Sequence, residues 1–263
     1  MKKVWKKITA GVAVAAFTSL SLQAAAPKAA DVETMKLIGT AMSSRTMVQI
    51  VAKDYLYTGN DVATSKAEKE MQEALKKFNA KLEILNRSLN DPKSKNLLLF
   101  IESNMEEITD LLKEPYSLDN AQEIIDLAEA ISEGGLSIAT RIRKKLKGDM
   151  EAYKGQRYYT EQVAKYYMAY RAGIKDKNTV KNMNKTVKIL DGLIREMQAN
   201  PANTPEMNRI MNRIGKHWKI VQQFYLNIKD GDLPLIVYST ARKMEKNFLK
   251  YAKALIKSSS SKK

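Results

Sequence analysis

All-α is the fold class this sequence predicts, as two tandem up-down four-helix units. Three observations carry it. Apolar residues recur at steps of three and four through most windows, with almost no alternating strand pattern. Glycine and proline fall mainly between those windows, where they mark turns. The stretch SSRTMVQIVAKDYLYTG at 43–59 returns, 112 residues later, as GQRYYTEQVAKYYMAYRAG at 155–173. Arg45 falls on Arg157, Val51-Ala52-Lys53 on Val163-Ala164-Lys165, and Tyr55 on Tyr167. The register holds beyond the motif, with Leu75, Phe78, Leu82 and Leu85 on Val187, Leu190, Ile194 and Met197. A fixed shift over that span signals duplication.

The spacing predicts helices over Asp31–Tyr57, Ala63–Ser88, Ser94–Leu112 and Leu118–Lys147 in the first unit (residues 31–147). Asn90-Asp91-Pro92 stops the second of these, because the residue before proline avoids helical geometry. In the second unit (residues 150–257) helices are predicted to Ala172, over Thr179–Ala199, over Pro205–Ile228 and over Leu233–Lys257. Pro234 is tolerated in a first turn. The units either share one long helix through Gly148, which stacks them end to end, or break there and lie side by side. Gly134-Gly135, inside the fourth helix, reads as a kink or a close helix contact. Residues 258–263 read as a disordered basic tail.

The opening MKKVWKKITAGVAVAAFTSLSLQAAA, residues 1–26, has the layout of a cleaved signal peptide: four lysines, a short apolar run, then small residues. A periplasmic address is expected. The absence of cysteine excludes disulfides, thiolate metal sites and a lipid-modified cysteine. Charge divides unevenly. Residues 27–149 carry 18 basic and 20 acidic residues, net −2, while 150–263 carry 23 and 9, net +14. That asymmetry suggests an anionic partner for the second half, or simply solvated helix faces.

The candidate site is the motif itself. On a helix, Met42, Arg45, Gln49, Ala52 and Leu56 share one face, as do Arg157, Glu161, Ala164 and Met168. A guanidinium and an amide or acid therefore interrupt an apolar seam, which is costly unless they are paired. Arg157 and Glu161, four apart, are expected to neutralise each other. Arg45 and Gln49 cannot. Either Glu102, Glu106 or Asp126 reaches Arg45 from another helix, or an anion does. The tyrosines of the second motif and the lone His217 beside Trp218 read as packing residues. No phosphate loop, nucleophile–base pair or carboxylate–histidine cluster appears, so neither enzyme activity nor a cofactor or metal is expected.

The two motifs, SRTMVQIVAK at 44–53 and QRYYTEQVAK at 156–165, resemble the pattern QRMLSQRIAK of the PilJ-type domain. That is the N-terminal domain of type IV pili methyl-accepting chemotaxis proteins. It is similar also to the periplasmic input domain of nitrate/nitrite sensors. Trp218 sits where family members often carry tryptophan. The resemblance implies a sensor-type four-helix bundle in which Arg45 and Arg157, with Gln49 and Glu161, hold a small anion, nitrate-like or a carboxylate. The family's second arginine is replaced by Ile50 and Gln162. The resemblance further implies a membrane receptor as partner, since no second membrane segment or signalling region follows. Homodimerisation is left open, and nucleic acid is not expected as a partner. The alternative is an envelope interaction protein whose basic second half binds an anionic surface or acidic partner.

Overall fold

The structure is a computed structural model that describes residues 29–144, 155–229 and 233–260. Among the described residues there are eight helices and no strand: α1 Ala29–Gly59, α2 Thr64–Ser88, α3 Pro92–Leu111, α4 Leu118–Arg143, α5 Gln156–Ala172, α6 Lys177–Ala199, α7 Pro205–Leu226 and α8 Pro234–Ser260. α1 packs on α2 and α4, and α3 closes the first bundle against α4. α5 packs on α6 and α8, and α7 closes the second against both. α1 also packs on α5, so the two units stand side by side through their motif helices. Gly148, the expected leader at 1–26 and Tyr153 of the second motif lie outside the described residues.

Local chemistry sets the helix starts. The Asp91 carboxylate accepts from the Ser94 amide at 3.0 Å, ahead of Pro92 in the first turn of α3. Ser117 accepts from Asn120 at 3.0 Å for α4, and Asp176 from Thr179 at 2.8 Å for α6. Thr204 accepts from Met207 at 3.3 Å, followed by Pro205, for α7. Each such cap stabilises its helix by about 1 kcal/mol. The last helix runs further than the sequence suggests. α8 continues to Ser260, where a disordered tail was expected from Ser258. The Ser258 hydroxyl donates to the Leu255 carbonyl at 2.8 Å, which satisfies a polar group within the last turns.

Position in the bundle decides which helices are amphipathic. α2, α6 and α7 bury one stripe each, such as Met71, Phe78, Leu82 and Leu85 on α2. α1 is buried at every residue from Ser44 to Tyr57, because α2, α4 and α5 surround it. α5 is likewise buried throughout Thr160–Ala169. The repeated motif therefore forms the centre of the molecule, and its polar residues are internal.

Gly134-Gly135 is a close contact. A Cβ on Gly135 would stand 2.8 Å from Arg45 Cγ and 3.2 Å from the Ala41 carbonyl oxygen. A Cβ on Gly134 would stand 2.9 Å from Ile101. The two glycines let α4 approach α1 at the level of Arg45 and α3 at the level of Ile101.

Candidate functional site

Two lysines anchor the centre. Lys53 on α1 is fully buried, and its ammonium donates to Glu161 of α5 at 2.7 Å. It also lies 3.4 Å from Glu70 of α2 and 3.3 Å from its neighbour Asp54. Burial pushes this ammonium down, but the carboxylates of Asp54, Glu161 and Glu70 outweigh burial and hold it well above its ordinary value. Glu70 accepts further from Tyr238 at 3.0 Å and pairs with Arg242 at 3.2 Å, both on α8. The cluster therefore ties α1, α2, α5 and α8 together. Asp54 is its poorest member. It is fully buried, and neither oxygen accepts a well-formed hydrogen bond from a described residue. Burial holds its carboxyl well above the usual range.

Lys165, the second-copy counterpart of Lys53, is also fully buried and pairs with Glu129 of α4. Gln49 donates to the same carboxylate at 3.2 Å and to the Ser132 hydroxyl at 3.0 Å. Gln162 donates to Glu129 at 2.9 Å. The lysine and glutamine contacts outweigh burial and hold the Glu129 carboxyl below its ordinary value. The two copies thus solve one problem differently. Lys53 takes its counter-charge from the opposite motif helix, at Glu161. The motif position that matches Glu161 is the uncharged Gln49, and Lys165 instead takes Glu129 from α4. At the same shift of 112, Ala241 stands opposite Glu129.

The motif arginines also differ. The expected pair Arg157–Glu161 does not form. Glu161 points into the α1–α5 boundary toward Lys53, and Arg157 pairs instead with Glu245 of α8, with Nε donating at 3.0 Å. Arg45 is 7% exposed, donates Nε to the Ser132 carbonyl at 2.9 Å and lies 4.1 Å over the Tyr158 ring. Among the described residues no carboxylate pairs with it, so Glu102, Glu106 and Asp126 do not supply its counter-charge. The carbonyl and the ring face hold the cation without an acid. Gln49 and Glu161, both at 0% exposure, belong to the interior network.

The accessible part of the site is a cleft of about 450 Å³ where α1, α5 and α8 meet and Lys81 reaches over from α2. Arg157, Lys81 and Lys36 supply cations, and Met42, Tyr158 and Phe248 supply apolar wall. Tyr158 carries Arg45 on its ring, so both motif arginines bear on this cleft. Lys81 pairs with no carboxylate among the described residues. Burial, then the nearby Arg157 and Lys77, pushes its ammonium below its ordinary value. An anion seated here would meet two adjacent cations, of which only Arg157 has an acid, Glu245.

The other sequence candidates are structural. Trp218 is buried and donates to Asp191 at 2.9 Å. His217, beside it, is only partly buried. Tyr167 stacks edge-on against Tyr225, and its hydroxyl accepts from the Leu233 amide at 3.2 Å. Sequence reasoning missed Lys53, Asp54, Glu70, Glu129, Lys165 and Glu245. The available signal was the repeated Val-Ala-Lys: a lysine held in register within both apolar motifs. No group of acids and histidines suited to a metal ion occurs among the described residues, and none of their helices is long and apolar enough to cross a membrane. Comparison with family models, with curated proteins and with solved structures finds no match for this chain.

Proposed function

We propose that this chain is a non-enzymatic ligand-binding module that takes a small organic anion in the cleft between its two helical units. The observation that carries this reading is the pair Lys81 and Arg157. Both cations line one cleft, Lys81 has no acid of its own, and the opposite wall is apolar. A carboxylate attached to an apolar body fits that division better than nitrate, which offers nothing to Met42 and Phe248. Guanidinium and carboxylate match in bidentate geometry. The cleft lies between units, so an occupant would bias how α1 and α5 sit together, which suits a sensor. The motif resemblance to PilJ-type and nitrate-sensor input domains and the leader pattern at 1–26 support an exported module acting with a membrane receptor.

The test is thermal unfolding with nitrate, acetate, benzoate and octanoate, on wild type and on Lys81→Gln/Arg157→Gln. Octanoate or benzoate should raise Tm in wild type, acetate and nitrate less, and the double variant should lose the effect. Equal shifts in both proteins, or none with any anion, would overturn the reading.

A further inference from the structure

We infer that the groove between α7 and α8 is a docking site for an acidic amphipathic helix of a partner protein. The groove measures about 600 Å³. Arg209 and Arg213 form one wall, Lys250 and Lys253 the other, and Ile210 and Ala254 the floor. Glu206 is the one acid that lines it.

Two features together define the groove's complement. First, of the five cations that line it, Lys257 among them, four make no ion pair. None of Arg209, Arg213, Lys250 and Lys253 forms an ion pair with a described residue. With five cations against one acid, its lining carries +4 of the second half's +14.

Second, the arrangement has a specific complement. Arg209 and Arg213 are one helical turn apart, about 6 Å along the axis. Lys250 and Lys253, three residues apart, stand about 4.5 Å apart along the other wall. A helix laid between α7 and α8 would set an apolar stripe on Ile210 and Ala254. Acids flanking that stripe would reach both walls, as flanking charges do in coiled coils. Polyphosphate or an anionic glycan would satisfy the walls and leave the floor unused. A flat bilayer would not enter a concave site.

Fluorescence anisotropy at about 150 mM salt tests this. The probe is a labelled synthetic peptide of about 18 residues, long enough to hold a helix, with a leucine stripe flanked by glutamates. The comparators are the same composition scrambled, polyphosphate, and phosphatidylglycerol vesicles. Arg209→Glu/Arg213→Glu should weaken the peptide about tenfold or more, since two attractions become repulsions. Lys250→Glu/Lys253→Glu should do the same from the other wall. Lys181→Glu/Lys185→Glu on α6 carries the same charge change outside the groove and should have a much smaller effect. All six positions are exposed, so the fold should be retained. The inference is overturned if the scrambled peptide binds as well, if the α6 variant loses as much as the groove variants, or if only polyphosphate or vesicles bind.

Discussion

Lys53 and Glu161 meet at 2.7 Å across the boundary between the two helical units, both in the fully buried interior. They come from equivalent helices of a duplicated sequence, one turn apart in motif register. The contact joins the copies through the element they share. It also explains why a charged residue stands among Val51, Ala52 and Leu56: the helix is internal, and its charge is answered from the other copy.

Removing the lysine alone should be severe. Lys53→Met leaves Glu161, Asp54 and Glu70 packed together with only Arg242 to offset them, at a cost of about 3–5 kcal/mol. Adding Glu161→Gln should recover a large part of that, because the new amide carries no buried charge. Urea unfolding of the singles and the double gives the coupling energy directly. Additive losses would show that the two side chains act independently.

Asp54 should make stability depend on pH in an unusual direction. Its folded carboxyl sits well above the unfolded value. Below the unfolded pKa the acid is protonated in both states, and folding is not penalised. As pH rises from there toward the folded pKa, the unfolded chain ionises first, and stability is lost by up to about 1.4 kcal/mol per pH unit. Above the folded pKa the loss levels off. Asp54→Asn should therefore match wild type near pH 4 and exceed it increasingly as pH rises. A constant difference across that range would show that Asp54 does not titrate as its burial implies.

Helix positions were legible because their signals are local. Asp91-Pro92, Ser117, Asp176 and Thr204-Pro205 each fix a start through one side chain and its own backbone. The all-around burial of α1 and α5 was not legible, because it depends on how two units dock. An expected Arg157–Glu161 pair rests on helical spacing alone, whereas the actual partners, Glu245 and Lys53, lie 88 and 108 residues away in sequence. Arg45 was legible in one respect: its own motif offers it no acid, as Gln49 shows, but the acid expected from another helix is not there. That a carbonyl and a tyrosine ring would hold it was not.

Two glycines should respond oppositely to a methyl group. Gly135→Ala drives a Cβ toward Arg45 Cγ and the Ala41 carbonyl, so α4 must move off α1. The expected cost is about 1–3 kcal/mol. Gly192, inside α6, has nothing within 4 Å of an added Cβ. Gly192→Ala should stabilise by about 1 kcal/mol through helix propensity. Thermal unfolding of both variants is sufficient. A neutral Gly135→Ala would mean that the α1–α4 approach is not set by that glycine.

The unequal solutions in the two copies can be exchanged. Gln49→Glu alone places a second carboxylate about 3 Å from Glu129, in a site built for one negative charge, and should cost about 2 kcal/mol. Glu129→Ala alone strips the fully buried Lys165 of its counter-charge and should also destabilise. Together the two changes reproduce in the first copy the combination Glu161 and Ala241 of the second. The Gln49→Glu carboxylate should then take Lys165 as Glu161 takes Lys53, and the double variant should be more stable than either single. If the double is as unstable as the sum of the singles, Lys165 cannot reach position 49, and the equivalence between the copies stops at the backbone.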